Sequence, residues 1–265
     1  MRKKLKLFIG PCVLESEKLA FTIAETIKND LSKFEDEIDL TFKGSFDKAN
    51  RTSIDSYRGP GIDEGLSILN NVKEKYSLPL LTDFHYPDQA DKVARIVDVL
   101  QVPAFLCRQT DLVLAGANAC KKYGRILKIK KGQFLAPEDC SNIVEKAKSI
   151  LPLEQIFLTE RGTSFGYNNL IVDMASFKIM QNNGVDVIFD ATHSVQRPGG
   201  LGKQTGGKRE QIEVLAKAAI AAGANGVFME THPEPSKALS DSATALPLNK
   251  ISEIVEKLLK IYRAV

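Results

Sequence analysis

Short runs rich in β-branched and aromatic residues recur along the chain at 5–10, 39–45, 79–85, 99–105, 125–131, 155–162, 186–193 and 226–232. Runs of this length and composition predict strands. Several, such as IFLTE, DVIFD and GVFME, are apolar on both faces, the pattern of parallel strands buried on both sides. Between them the apolar positions switch to helical spacing. Leu19, Ile23 and Ile27 mark a helix over 15–31, and Val93, Ile96 and Val97 one over 89–99. Ile212, Leu215 and Ala219 mark 208–222; Ile251, Ile254, Leu258 and Ile261 mark 247–265. Pro137, Glu138 and Asp139 open a further helix, and Gly184 and Gly223 stop two others. Eight strands alternating with helices predict parallel βα units. Over 265 residues they favour an α/β fold of one domain spanning 1–265, a closed (β/α)8 TIM barrel. An open doubly wound sheet is the alternative, but no G-x-G-x-x-G follows any strand.

Composition narrows the partners. Hydrophobic residues make up 43% and charged ones 26%, ordinary globular usage that excludes a disordered chain. A net charge of +3 and the absence of Trp argue against a nucleic-acid partner. No apolar run approaches the length of a membrane span. The basic start, Met1 to Lys4, is followed by only Leu7, Phe8 and Ile9, too short for a secretory signal. Cys12, Cys107, Cys120 and Cys140 form no C-x-x-C and suit a reducing, cytoplasmic setting.

Barrel chemistry sits on the loops after the strands. Here the strand C-terminal ends carry most of the polar residues. They are Cys12 and Glu15; Lys43, Ser45, Asp47, Lys48, Asn50 and Arg51; Asp83 and His85; Gln101, Arg108 and Gln109; Lys128, Lys130 and Lys131; Glu160 and Arg161; Asp190 and His193; and Glu230 and His232. Lys43, Lys48, Arg51, Arg108, Lys130 and Arg161 would share one mouth. A single Lys or Arg is usually solvated or paired, but so many on one face imply phosphate or carboxylate ligands. Cys12, His193, Glu230 and Asp241 fall on the first, seventh and eighth βα segments, which neighbour one another in a closed barrel. A thiolate, an imidazole and two carboxylates suit a divalent transition metal such as Zn or Fe(II). Spacing alone does not choose His193 over His85 or His232, and Asp241 in SDSATALP is also ordinary turn chemistry. The segment 196–209, QRPGGLGKQTGGKR, has the composition of a mobile lid ordered by a ligand or of a plain flexible loop.

At these residues the chain resembles the 3-deoxy-D-manno-octulosonate 8-phosphate synthases along nearly its whole length. The resemblance is carried by GPCVLES (10–16), FKGSFDKANRTS (42–53), SYRGPG (56–61), LTDFHYP (81–87), QVPAFLCRQTDL (101–112), LKIKKGQF (127–134), ERGTSFGYNNLIVDM (160–174), FDATHSVQ (189–196), METHPEP (229–235) and DSATALPL (241–248). It implies an aldol-like condensation of phosphoenolpyruvate, D-arabinose 5-phosphate and water. The products are the eight-carbon sugar acid phosphate and inorganic phosphate.

By position, the resemblance assigns Arg108, Lys130, Arg161 and the Ala104 backbone to the phosphoenolpyruvate phosphate. It assigns Lys43 and Lys48 to the carboxylate and reacting end, Asn50, Arg51 and Thr52 to the pentose phosphate, and Gln101 and His193 to substrate binding with no particular group. Asp83 would face the sugar hydroxyls. One branch of the family binds a divalent metal (Zn, Fe(II), Mn or similar) through Cys, His, Glu and Asp; the other has Asn for Cys. GPC implies the metal branch, with Cys12, His193, Glu230 and Asp241 as ligands. Lys48, Asp83, Cys12 and His193 then carry the chemistry, and a Lys48 pKa depressed by neighbouring cations would suit proton transfer. The resemblance also implies a homotetramer working in the cytoplasm in lipopolysaccharide (Kdo) synthesis. Gly132 departs from the family's KKPQF, and the first strand lies close to residue 1. The nearest rival, 3-deoxy-D-arabino-heptulosonate 7-phosphate synthase, takes erythrose 4-phosphate and typically has KPRT where this chain has KANRT (48–52).

Overall fold

The computed structural model describes residues 3–51, 53–197 and 206–265. Eight parallel strands close on themselves: β1 Leu5–Gly10, β2 Ile38–Lys43, β3 Leu80–Asp83, β4 Val99–Val102, β5 Ile126–Lys130, β6 Ile156–Glu160, β7 Asp186–Asp190 and β8 Gly226–His232. Closure is the parallel pairing of β1 with β8, from Lys6 opposite Gly226 to Gly10 opposite Glu230. Helices α1 Glu17–Leu31, α2 Ile62–Tyr76, α3 Gln89–Ala94, α4 Thr110–Tyr123, α5 Cys140–Lys148, α6 Ser176–Gln181, α7 Ile212–Ala221 and α8 Ile251–Ala264 alternate with the strands. The expected (β/α)8 barrel is therefore the observed one. No helix among the described residues is long and apolar enough to cross a membrane.

The ends of the elements follow local chemistry. Ser16 caps α1 by accepting from the Leu19 N–H at 3.2 Å. Gly124 closes α4 in the left-handed conformation, φ 65°. Several expected boundaries move inward, three of them for reasons visible in the local chemistry. Strand β4 stops at Val102 because Pro103 has no N–H for the ladder, and Ala104–Leu106 turn into a short 3-10 helix. Strand β7 stops at Asp190, whose carboxylate accepts from the His193 N–H at 3.0 Å and folds the chain into a turn. Helix α3 ends at Ala94; Ile96 and Val97 donate back to the Val93 carbonyl, bringing Asp98 beneath β3 in time to start β4.

Two cores result. The larger fills the space between strands and helices. The smaller, Phe8, Leu81, Val99, Phe157, Ile188 and Phe228, plugs the barrel interior. Each such buried side chain contributes roughly 1.5–3 kcal/mol. Below the plug Lys6 pairs with Asp186 at 2.8 Å. At and above it the inward side chains turn polar, with Asp83, Gln101 and Lys128 side by side on β3, β4 and β5. The plug is why function can occupy only one end: it closes the barrel, and the polar side chains stand on it.

Strands β1 and β2 approach unusually closely. A Cβ on Gly10 would lie 1.9 Å from the Lys43 carbonyl oxygen, so only glycine fits there. That approach lets the chain after Gly10 wrap the Lys43 side chain.

Candidate functional site

Glu230, near the end of β8, is the hub of the rim. Its Oε1 lies 2.5 Å from the Lys43 Nζ and 3.8 Å from the Lys48 Nζ. Its Oε2 is buried and lacks a hydrogen-bond partner among the described residues. That oxygen stands 3.5 Å from the His193 Nε2, which is also 3.6 Å from the Asp241 Oδ2. The Cys12 Sγ lies 3.2 Å from the same Asp241 oxygen and 3.1 Å from the Ser240 Oγ. The ligand atoms of Cys12, Glu230 and Asp241 all fall within 4.8 Å of one another, a cluster able to hold a metal ion. Asp241 reaches it from a left-handed backbone, φ 49°, a conformation Asp tolerates better than most residues.

His193 is oriented from behind. Its Nδ1 lies 2.8 Å from the Asp190 Oδ2, and the same oxygen accepts from the Lys130 Nζ at 2.5 Å. His85 and His232 point elsewhere. The His85 Nε2 faces Asp83 at 3.3 Å; the His232 Nδ1 accepts from the Glu234 N–H at 2.9 Å. Among the three histidines left open by spacing, His193 is thus the one that meets Glu230 and Asp241.

The cations are interleaved with acids. Lys43 donates to the Pro11 and Cys12 carbonyls at 3.0 and 2.7 Å, besides pairing with Glu230. Lys48 donates to the Ser45 Oγ at 3.0 Å, and Ser45 in turn donates to Asp83 in a short bond. Lys131, fully buried, donates to the Thr163 Oγ1 at 2.9 Å and the Leu135 carbonyl at 3.2 Å, and lies 3.6 Å from Glu160. This ties the loop after β5 to the loop after β6. Other cations meet neutral groups. Arg161 donates to the Gln196 Oε1 at 2.9 Å and its buried Nη1 is unpartnered among the described residues. Arg51 donates to the Ser240 Oγ at 2.6 Å, and its Nε is likewise unpartnered. Buried guanidinium N–H groups left open in this way suit an anion.

The electrostatics follow from this packing. Burial raises the Glu230 pKa, but His193, Lys43 and Lys48 outweigh it and hold the carboxyl at about 2. Burial opposes the His193 imidazolium, yet Asp190 and Glu230 raise its pKa. Burial, then Asp241 and Glu230, pushes the Cys12 thiol well up. Burial lowers Arg161 and Lys43. Lys48 departs from the sequence expectation. Burial alone would lower it, but Cys12, Glu230, Asp83 and Asp241 face its ammonium and raise its pKa. The expected depression presumed crowded cations, whereas acids surround the group.

Other expected residues lie further out. Ala104 is buried in the turn after β4, next to the exposed Arg108, whose carbonyl accepts from Lys146 at 3.1 Å. Asn50 is exposed on the loop after β2. Thr52 and the middle of the expected lid, 198–205, lie outside the described residues; the lid's flanks, Gln196–Arg197 and Gly206–Gly207, pair antiparallel. Sequence reading gave no role to Ser240, which links Cys12 to Arg51, or to Asp190. Asp190 did carry a signal, an acid ending a strand three residues before a candidate histidine ligand; Ser240 carried none.

A closed barrel with its acids, thiol, imidazole and ammonium groups at the strand C-terminal face has the architecture of a barrel enzyme. Residues 2–264 match the model of the DAHP synthetase I family, and the chain belongs to that family. A protein of Trichlorobacter lovleyi is 52% identical over 257 residues, 96% of this chain and 91% of that protein. One of Pelobacter propionicus is 53% identical over 260 residues (97% and 92%), and one of Protochlamydia amoebophila 48% over 264 (100% and 94%). All three are named 2-dehydro-3-deoxyphosphooctonate aldolase.

Proposed function

We propose that this chain condenses phosphoenolpyruvate with D-arabinose 5-phosphate and water, giving 3-deoxy-D-manno-octulosonate 8-phosphate and inorganic phosphate for lipopolysaccharide synthesis. The observation that carries the reading is the shared name of relatives about half identical over nearly the full chain. The family's description also covers the seven-carbon synthase, but those relatives and the KANRT sequence at 48–52 favour the pentose phosphate.

Carbon 3 of phosphoenolpyruvate is the nucleophile and the pentose aldehyde the electrophile. The new carbon–carbon bond leaves negative charge on the aldehyde oxygen and positive charge at carbon 2. Water adds at carbon 2, and the phosphate leaves with its bridging oxygen. Arg161, Lys130 and Arg108, with the Ala104 backbone, hold the phosphate; Lys43, Lys48 and Gln101 hold the carboxylate. Asn50, Arg51 and Thr52 take the pentose phosphate, and Asp83 takes the sugar hydroxyls. Fixed charges of this kind stabilise developing oxygen charge without reorganising during the reaction, and holding two anions together supplies orientation.

Cys12, His193, Glu230 and Asp241 would hold a divalent metal. The unpartnered Glu230 Oε2 beside a thiol, an imidazole and a second carboxylate fits such an ion. When bound, the metal supplies Lewis-acid stabilisation of oxygen charge and orients the sugar. Asp190 keeps the imidazole turned toward that position. A homotetramer in the cytoplasm completes the reading; the exposed Phe165, Tyr167, Phe105 and Phe134 offer apolar surface for subunit contacts.

Phosphate release with arabinose 5-phosphate or erythrose 4-phosphate, with and without chelator, tests the reading. The expected result is release with the pentose phosphate, lost on chelation. Turnover with the tetrose phosphate alone would overturn the substrate, and full activity after complete metal removal would overturn the metal's role.

A further inference from the structure

Lys128 is a buried cation that the proposed chemistry leaves without a task. It stands on β5 beside Gln101 of β4, which stands beside Asp83 of β3. Its side chain is fully buried on the apolar plug, the ammonium 4.9 Å from the Phe228 ring centre and 5.3 Å from that of Phe8. No carboxylate pairs with it among the described residues; its hydrogen bond goes to the Gln101 Oε1 at 2.8 Å. Burial, then the neighbouring Lys130, pulls its pKa well below the ordinary lysine range. A methionine would fill this space without burying a charge, so packing does not account for a lysine here.

The Lys128 Nζ donates to the Gln101 Oε1, and a carboxamide that accepts on one side donates from the other. With the Gln101 Oε1 committed to Lys128, the Nε2 must face the other way. That Nε2 has no partner among the described residues, yet it is not among the side-chain nitrogens sealed from solvent. Its N–H groups are therefore available at the level of Asp83. Reversing the amide would give up the hydrogen bond from the Lys128 Nζ and offer an oxygen to the incoming anion.

We propose that Lys128 is a positioning residue: it fixes the Gln101 carboxamide with both N–H donors presented to the carboxylate of phosphoenolpyruvate. This rests on the proposed function. Lys128 touches no reactant; it acts through Gln101.

The test is calorimetric binding of phosphoenolpyruvate to the enzyme as isolated, without pentose phosphate, for the wild type, Lys128→Met, Gln101→Ala and the double variant. Lys128→Met is expected to weaken binding about tenfold, with a Tm equal to or above that of the wild type because a buried charge is gone. The double variant is expected to bind no more weakly than Gln101→Ala alone, since the lysine has nothing left to orient. Lys128→Gln, which can both donate and accept, should lose part of the affinity and provides the same reading if the methionine variant does not fold. Unchanged binding by a folded Lys128 variant, or losses that multiply in the double variant, would overturn the proposal with the functional reading intact. A wild type that binds no phosphoenolpyruvate would overturn both.

Discussion

Lys43 and Glu230 form an ion pair at 2.5 Å with each side chain only 1% exposed. The pair joins the two halves of the rim, because Lys43 belongs to the proposed anion site and Glu230 to the proposed metal site. Neither charge reaches water, so each depends on the other. Breaking a buried pair by removing one partner costs about 3–5 kcal/mol, whereas replacing both can be nearly neutral. Lys43→Met and Glu230→Gln should each destabilise the metal-free protein by about that amount in urea unfolding. The double variant should recover much of the loss. Additive losses would mean that the two charges are independently solvated.

Gly10 sets where that pair sits. A Cβ there would strike the Lys43 carbonyl at 1.9 Å, and both atoms belong to strands with little room to shift. Gly10→Ala should cost about 1–3 kcal/mol by forcing β1 and β2 apart. It should also lower activity more than an equally destabilising change in the helical layer, because Lys43 moves with its backbone. Matched stability and activity losses for the two changes would contradict this.

The barrel was legible because its strands are apolar on both faces and its helices amphipathic, periodicities that survive without neighbours. Strand ends were less legible. The bond from the His193 N–H to Asp190 and the missing N–H of Pro103 end strands that hydrophobicity alone would extend. The order of the βα segments put Cys12, His193, Glu230 and Asp241 forward with His85 and His232 as rivals, the resemblance chose the set, and the fold brings it together. Charge state was the least legible property. Lys48 reads in sequence as one cation among several, yet in the fold Cys12, Glu230, Asp83 and Asp241 gather around it and raise its pKa against the effect of burial. The two-residue strand pairings at 163–164 with 170–171 and at 246–247 beside β8 were not anticipated, being too short to carry a period.

On the outer surface, Asp91 gathers Lys122 and Arg95, which lower its carboxyl from 3.8 to about 2. The folded pKa lies below the unfolded one, so the contribution to stability is fully present above the unfolded value and is lost as pH falls through about 2. Because the group is exposed, the effect is small and screened by salt. Asp91→Asn should lower Tm slightly at pH 7 in low salt, less in high salt, with the difference closing below about pH 2. Thermal melts across that range check the sign.

Ion binding at Cys12 should release protons. In the metal-free protein burial, Asp241 and Glu230 keep the thiol protonated, and the acids around His193 favour its imidazolium. A metal needs the thiolate and the neutral ring. Apparent affinity for a divalent ion should therefore rise with pH between about 6 and 8, with roughly one to two protons released per ion. Titration calorimetry in buffers of different ionisation enthalpy measures that number directly. Cys12→Ala should bind more weakly and release about one proton fewer; an unchanged count would remove the thiol from the ligand set.

Asp190 holds His193 and Lys130 with one carboxylate. In Asp190→Asn the side chain keeps its shape and can still accept from the His193 N–H, so the turn after β7 should survive. The negative charge behind the imidazole is lost. Carboxylates that orient a metal-binding histidine typically contribute 10–100-fold in affinity, and a loss of that size is expected here. Dialysis of the metal-loaded protein against graded chelator, followed by elemental analysis, measures retention independently of turnover. Wild-type retention in the variant would show that the imidazole is held by its own backbone turn and by Glu230, without Asp190.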